Sequence, residues 1–334
     1  MKINSSIKNY TIDFKENFEI EHLDYRPGDL IVVDKNVNLP EMHDKNVIQI
    51  LASESTKSYE YLPEIIKEIL DSTFTKHNKL IAIGGGITQD IVSFISSILY
   101  RGVDWTFFPT TLLAQGDSCI GGKTSINFRE YKNQLGNFNP PNKITVCNSF
   151  LETLSSEDIV SGLGEMLHFY LVSGIEDFKF YKDKLGKSNK EIVKRCLEIK
   201  KRFVELDEFD KKERLLLNYG HTFGHAIETV TKYEYPHGIS VCFGMNIANY
   251  ISYRMGSIDK NLYLELGAFM HSLHGKRFNI ENIDKFIEAL KKDKKNLRPD
   301  KVRCVLTRGV GDMFLTEVSY SEIEKILNDY KYIH

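Results

Sequence analysis

The stretch from Lys79 to Tyr100 constrains the fold more than any other. Lys79-Leu-Ile-Ala-Ile83 is short and apolar, Gly84-Gly85-Gly86 follows at once, and residues 87–100 carry apolar side chains at helical spacing. Buried strand, glycine turn and helix, in that order, aim free backbone N–H groups and a helix N-terminus at one spot, which suits a phosphate. The triplet departs from the G-x-G-x-x-G dinucleotide spacing, and alone it reads more readily as a tight turn. The same alternation continues on either side. Asp29-Leu-Ile-Val-Val-Asp34 and Val47-Ile-Gln-Ile-Leu51 read as strands, and Leu62, Ile65, Ile66, Ile69 and Leu70 recur at helical spacing between them and the glycines. Trp105-Thr-Phe-Phe-Pro109 is a further strand ending in Thr110 and Thr111, two hydroxyls where open α/β sheets bind ligands. Alternating strands and helices predict a largely parallel sheet covered on both faces.

Residues 115–137 are polar and glycine-rich, with Asp117, Gly121-Gly122-Lys123-Thr124, Asn127 and Lys132-Asn133. Two cations in a flexible polar loop suit an anionic substrate such as a phosphate ester. Composition alone favours a solvated surface loop.

A length of 334 residues accommodates two domains with cores of their own, placed at 1–154 and 155–334. The formal charge of −2 gives no electrostatic case for nucleic acid or an anionic membrane as partner. No apolar run approaches the roughly 18 residues of a membrane span, and the first residues lack the apolar core of a signal peptide. Five cysteines without a CxxC pair read as reduced thiols, so a cytoplasmic protein is expected.

In the second half, Asn218-Tyr-Gly-His221-Thr-Phe-Gly-His225-Ala-Ile-Glu228 places two histidines four apart, one turn above each other on a helix. Gly220 and Gly224 beside them let another backbone or a ligand come close. His237, in Pro236-His237-Gly238, could bring a third nitrogen from another direction. A catalytic metal is commonly held this way, with one position left open. Two packed helix histidines and a turn histidine account for the spacing equally well. Residues 191–204, 239–253 and 283–290 have helical periodicity, and Val302-Arg-Cys-Val-Leu-Thr reads as a late strand. His271, His274 and His334 read as structural or surface residues.

Taken together, Gly84-Gly-Gly with Asp90, Arg101-Gly, Pro109-Thr-Thr-Leu-Leu-Ala, Asp117-Ser, Gly121-Gly-Lys-Thr with Asn127, Lys132-Asn133, Gly162-Leu-Gly-Glu165, the 218–228 motif and His237-Gly resemble the 3-dehydroquinate synthases and their relatives, the sugar phosphate cyclases. The matching pieces run in the family's order from about residue 34 to 296. The resemblance implies an N-terminal α/β domain that binds NAD and a mainly α-helical C-terminal domain carrying a divalent metal, usually zinc and alternatively cobalt. It implies an active site in the cleft between them and a homodimer, with Arg101 reaching a neighbouring subunit's site. By matching position, Glu165, His221 and His237 are the implied metal ligands, leaving the metal open to a substrate's vicinal oxygens. Asp34, Glu54, Lys57, the turn with Gly85, Gly86, Ile87 and Asp90, then Thr110, Thr111, Asp117, Lys123, Lys132, Phe150 and Thr153 are implied at NAD. Lys123, Asn133, His168, Lys200, Arg214, Asn218, His225 and one of Lys294 and Lys295 are implied at the substrate, a small phosphorylated keto-sugar. The implied chemistry oxidises a carbinol through NAD, eliminates phosphate, returns the hydride, then opens the ring and closes a carbocycle, with no net redox.

Two departures qualify the substrate. The family's Glu-x-x-Lys is here Glu165-Met-Leu-His168, exchanging a long cation for a shorter ring that is mostly neutral at pH 7. His168, i,i+3 from Glu165, could approach the metal, although a hydrogen bond from a differently placed hydroxyl is the simpler expectation. Asp210 stands four before Arg214, where the family has Glu. Lys200 and Arg214, the pair the family uses for a carboxylate, are both present. The expected substrate is therefore a 2-keto-3-deoxy sugar-acid phosphate. The alternatives are a cyclase of specialised metabolism acting on a different sugar phosphate and, less favoured, a metal-dependent NAD polyol dehydrogenase, against which the cationic residues count.

Overall fold

The computed structural model describes residues 1–40, 42, 44–129, 131–292 and 297–330. Lys294, Lys295 and His334 lie outside them. The chain divides into two compact units, Met1–Leu154 and Ser155–His334.

The first unit contains, in order, β1 (Lys2–Ile3), β2 (Tyr10–Lys15), β3 (Leu30–Asp34), β4 (Asn46–Ile50), α1 (Leu62–Asp71), β5 (Lys79–Gly84), α2 (Gly86–Ile98), β6 (Asp104–Pro109), β7 (Ile126–Phe128), β8 (Tyr131–Leu135) and β9 (Lys143–Cys147). Seven strands form one sheet in the order β1-β2-β9-β6-β5-β3-β4. All its pairings are parallel except β1 with β2. Burial on both faces explains why β3 and β5 are continuous apolar runs without alternation. One core cluster joins Leu23, Ile31, Val33, Ile81, Ile83, Phe108, Cys147 and Phe150. From β3 the chain steps outward to β4, then returns to lay β5 on the other side of β3. Strand order reverses there, and the carboxyl ends flanking a reversal form the ligand crevice of open α/β sheets.

The polar segment expected as a flexible loop is instead ordered by its own backbone. It begins with a π-helical turn, Ala114–Ser118, and continues into the β7–β8 antiparallel hairpin. The Asn127 main chain accepts from the Tyr59 N–H at 2.8 Å and donates to Lys57 O at 2.9 Å, tying the hairpin to the segment after β4.

The second unit runs α3 (Ser156–Ser173), α4 (Ile175–Lys184), α5 (Asn189–Leu206), α6 (His221–Val230), α7 (His237–Arg254), α8 (Lys260–His274), α9 (Ile283–Lys291), β10 (Lys301–Thr307), β11 (Met313–Ser319) and α10 (Tyr320–Leu327). Ser155, Ser188, Asp259 and Asn282 cap α3, α5, α8 and α9, each accepting a backbone N–H of the first turn. The late strand exists as β10, paired with a second strand, β11, that periodicity did not reveal. His237, expected in a loop, is the first residue of α7.

Helix α7 is the centre of this unit, buried at every residue from 238 to 252. It meets α3 and α6 through backbone-close contacts. A Cβ on Gly238 would stand 1.8 Å from Ser161 O of α3, and one on Gly244 would stand 2.0 Å from Gly220 O at the start of α6. Only hydrogen fits at such an approach. These two contacts hold Glu165 of α3, His221 of α6 and His237 of α7 on converging helices.

Candidate metal centre and nucleotide-binding edge

Along the carboxyl ends of β3, β5 and β6 lie Asp34, the Gly84-Gly85-Gly86 turn and Thr110-Thr111. Asp34 Oδ1 accepts from the Asn36 N–H at 3.1 Å. Gly85 is the N-cap of α2, its backbone extended and without a side chain, so the first N–H groups of the helix open toward the turn. Ile87 follows, half-buried in the first turn. Thr110 N–H donates to Gly84 O at 2.9 Å, and Thr111 Oγ1 accepts from the Ala114 N–H at 3.1 Å. Asp117 lies in the π-helical turn beside them.

The structure joins several of the expected nucleotide and substrate residues into one network. Lys57, 7% exposed, donates from Nζ to Asp90 Oδ2 at 3.0 Å and to Asn133 Oδ1 at 2.9 Å. Glu54 Oε2 accepts from Asn127 Nδ2 at 3.0 Å and lies 3.7 Å from Lys132 Nζ. Burial raises the Asp90 carboxyl to about 6, with Lys57 opposing the shift. Lys123 is exposed at the base of the hairpin, in a bridge with Phe138. The Phe150 ring packs in the core, 5.2 Å from Phe18, while Thr153 is exposed at the end of the turn that follows β9.

In the helical unit, Glu165 is 2% exposed. Its Oε1 lies 3.3 Å from His221 Nε2 and its Oε2 lies 3.4 Å from His237 Nε2. Oε2 and His221 Nδ1 are buried and have no hydrogen-bond partner among the described residues. Burial alone would push this carboxyl up; the His221 and His237 imidazoles outweigh burial and hold it well below the usual carboxylate range. One buried carboxylate, the mostly covered His221 and the partly exposed His237 offer a donor set that suits a small divalent cation. His225, one turn along α6, lies with Glu228 and His237 in a second group, while Glu165, His168 and His221 form a first; in each, one ligand atom per residue falls within 4.8 Å of the others.

His168 is not placed to accept from a hydroxyl through Nδ1. That nitrogen donates to Glu165 O at 2.5 Å and lies 3.7 Å from Glu165 Oε1. Its ring packs on Phe169 at 3.9 Å and meets His221 edge-on at 5.0 Å. Lys200 and Arg214 are both buried cations, at 6% and 4% exposure. Lys200 Nζ lies 5.8 Å from the centre of the Phe169 ring. Arg214 donates from Nη1 to Glu208 O at 2.6 Å. Asp207 shapes this loop, its carboxylate accepting the Lys211, Lys212 and Arg214 N–H groups, and Asp210 occupies a left-handed turn within it. Asn218 closes the short helical turn before α6, donating to Leu215 O at 3.0 Å.

A residue that spacing did not single out is Glu228. Its Oε1 accepts from His237 Nδ1 at 2.8 Å. The signal was present as the last residue of the 218–228 motif, three beyond His225, but its partner lies across a turn whose course spacing does not give.

An open, mostly parallel sheet with a glycine turn at its carboxyl edge, followed by a helical unit that gathers Glu and His side chains, is the architecture of the dehydroquinate synthase-like class of two-domain enzymes. Residues 47–161 match the model of the 3-dehydroquinate synthase N-terminal domain and residues 162–296 that of the 3-dehydroquinate synthase C-terminal domain. The 3-dehydroquinate synthase of Dictyoglomus turgidum is 33% identical over 97% of this chain and 91% of its own length. That of Clostridium tetani is 35% identical over 90% and 81%. The chain belongs to the 3-dehydroquinate synthase family and is an enzyme of its lyase type. The fold is also that of 2-deoxy-scyllo-inosose synthase, solved with carbaglucose-6-phosphate, NAD+ and Co2+, at a TM-score of 0.86, 21% identity and coverage of 98% and 99%. The 2-epi-5-epi-valiolone synthase of Streptomyces hygroscopicus, solved with NAD+ and Zn2+, superposes at 0.81 with 24% identity and 96% coverage of each chain. No described helix is long and apolar enough to cross a membrane.

Proposed function

We propose that the chain cyclises a 2-keto-3-deoxy sugar-acid phosphate with loss of phosphate, using NAD and a divalent metal, zinc or cobalt. The observation that carries the metal is the buried Glu165 carboxylate facing His221 and His237, with no fixed cation against it among the described residues. Glu165, His221 and His237 would hold the metal, and the Gly85-Gly86-Ile87 turn with Asp34, Glu54, Lys57, Asp90, Thr110, Thr111, Asp117, Lys132, Phe150 and Thr153 would hold NAD. When bound, NAD supplies reversible hydride uptake and the metal supplies a Lewis acid for the substrate's oxygens.

The chain's own residues have the remaining tasks. Lys200 and Arg214 bring buried positive charge that suits a substrate carboxylate, and Arg214 is aimed by its bond to Glu208 O. His225, one turn from His221, and Asn218 are the candidates for the phosphate and hydroxyls, with Lys123 and Asn133. His168 takes the place of a lysine with a ring turned to its own helix carbonyl, so it contributes shape and a buried dipole where a lysine contributes a mobile cation. The family resemblance supports a homodimer, and the reduced buried cysteines support the cytoplasm.

A phosphate-release assay with purified protein, NAD and Zn2+ tests the reading, comparing 3-deoxy-arabino-heptulosonate 7-phosphate with the neutral sedoheptulose 7-phosphate while NADH is followed. Release from the acid substrate without NADH accumulation is expected. Release from the neutral sugar alone would establish a specialised cyclase, and net NADH would establish a polyol dehydrogenase.

A further inference from the structure

We infer that Glu228 is the positioning residue of the metal centre, fixing the tautomer and aim of His237; the inference rests on the metal reading above. A neutral imidazole carries one N–H and one lone pair, and the hydrogen bond made by one nitrogen decides which. The carboxylate of Glu228 cannot donate, so at 2.8 Å it takes the Nδ1 proton of His237. That leaves the lone pair on Nε2, the atom that faces Glu165 Oε2 at 3.4 Å. The ring is thus held between two carboxylates, with Nδ1 toward Glu228 and Nε2 toward the converging donors. This is the arrangement by which a second carboxylate raises the basicity of a metal-ligating imidazole.

The backbone shows why His237 needs such an anchor. Between α6 and α7 the chain passes through Lys232 and Tyr233, both left-handed, with φ of 53° and 64°. His237 sits at the very start of α7, after Pro236, and its side chain remains 35% exposed where His221 is 14% exposed. His221 is confined by the helix and by the rings of His168, His225 and His237. Less covered, His237 gains its orientation from Glu228, on the last turn of the helix that carries His221. One bond therefore sets the spacing of two donors across the turn. Glu228 is not itself placed as a donor to the Glu165 centre, because its Oε1 is occupied by the opposite edge of the ring.

The test uses the full chain, with Zn2+ affinity measured by chelator competition, Co2+ absorption spectra, and the melting temperature of metal-free protein. Glu228→Ala is expected to weaken zinc by about 10–100-fold and to alter the cobalt ligand-field bands. Glu228→Gln keeps an acceptor oxygen but loses the charge, so it should fall between Ala and wild type with an unchanged metal-free melting temperature. His221→Ala and Glu165→Gln, which remove donors, should abolish tight binding. Wild-type affinity in Glu228→Ala would overturn the inference, as would a loss as deep as that of His221→Ala, which would make Glu228 a ligand. Full rescue by Glu228→Gln, with the Ala defect following a lowered melting temperature, would reduce Glu228 to closing the turn. If His221→Ala and Glu165→Gln bind zinc normally, the metal reading itself falls, a result distinct from a failure of Glu228 alone.

Discussion

In the α/β unit the Lys57 ammonium lies between the acceptors of Asp90 and Asn133, and Glu54 meets Asn127 and Lys132. In the helical unit the Glu165 carboxylate, equally buried, faces imidazoles and no fixed cation among the described residues. Both regions gather polar groups, yet the first is neutralised within itself, whereas the second is the one for which an added cation is proposed. Scaffolding follows the same division. The α/β network is joined to its hairpin by hydrogen bonds, main-chain and side-chain, whereas the donors of the helical unit are set by backbone touching backbone at Gly238 and Gly244. A phosphate-binding edge built on backbone N–H groups tolerates adjustment, because the ligand brings the charge. A metal centre tolerates little, since donor spacing selects the ion.

The largest effect that distinguishes the two scaffolds is expected at Gly238. A methyl there would lie 1.8 Å from Ser161 O and 2.8 Å from Glu165 N, neither of which can rotate away. Overpacking against backbone should cost Gly238→Ala about 3 kcal/mol or more, against the roughly 0.5–1 kcal/mol that Ala would gain by restricting the unfolded chain. Urea unfolding measures the difference. Because α3 and α7 would have to separate, zinc affinity should fall with stability. A Gly238→Ala protein of normal stability would mean that the helices are not set by this contact, and the contrast between the units would fail.

Lys57 offers the matching test in the α/β unit. Lys57→Met leaves Asp90 without its cation, and because Lys57 opposes burial, the Asp90 carboxyl should rise above about 6. The sign follows from linkage. A folded value raised above the ordinary 3.8 means that the folded state keeps a proton the unfolded chain has lost, so this group's contribution falls as pH rises from about 4 to about 6. The variant extends that fall to higher pH. Destabilisation of about 2 kcal/mol is expected at pH 8 and clearly less at pH 5, where protonated Asp90 needs no partner. Carboxyl carbon NMR would follow the titration directly. An equal loss at both pH values would show that Lys57 acts by packing, and the neutralised-network description would not stand.

How far these features were legible in the sequence depends on whether they are local. The strands β3 to β6 and helix α2 declare themselves as apolar runs with a glycine turn, and the structure moves their ends by only a residue or two. His221 and His225 were readable as a pair because both lie on one helix face. The roles of Glu165 and His237 came from the resemblance, since no local rule links residues 165 and 237. The hairpin at Asn127 and Lys132 looked like loop because its strands are short and polar, and its pairing to the segment after β4 is long-range. His168 turns Nδ1 to its own helix carbonyl, a local contact that spacing does not give, and this leaves the expected acceptor role to Nε2. Glu228 depended on two left-handed residues, Lys232 and Tyr233, that neither propensity nor period foretells.

The smallest effect concerns a helical-unit histidine away from the Glu165 cluster. Burial pushes the His274 imidazole down to about 4, with His271 and Lys276 adding to the shift, and its Nδ1 accepts the Lys276 N–H at 3.1 Å. A base whose folded value lies below its ordinary 6.5 is protonated first in the unfolded chain, so stability is lost as pH falls from about 6.5 toward 4. His274→Asn keeps an acceptor for Lys276 without the titration and should flatten that part of the acid slope in urea midpoints taken at pH 7, 6 and 5. The wild type and variant should differ least at pH 7, where both are neutral. The measurement also sharpens the contrast between units, because over the same pH interval the α/β unit gains from Asp90 what the helical unit loses from His274. If His274→Asn leaves the acid slope unchanged, His274 does not set it, and this opposition between the two units fails.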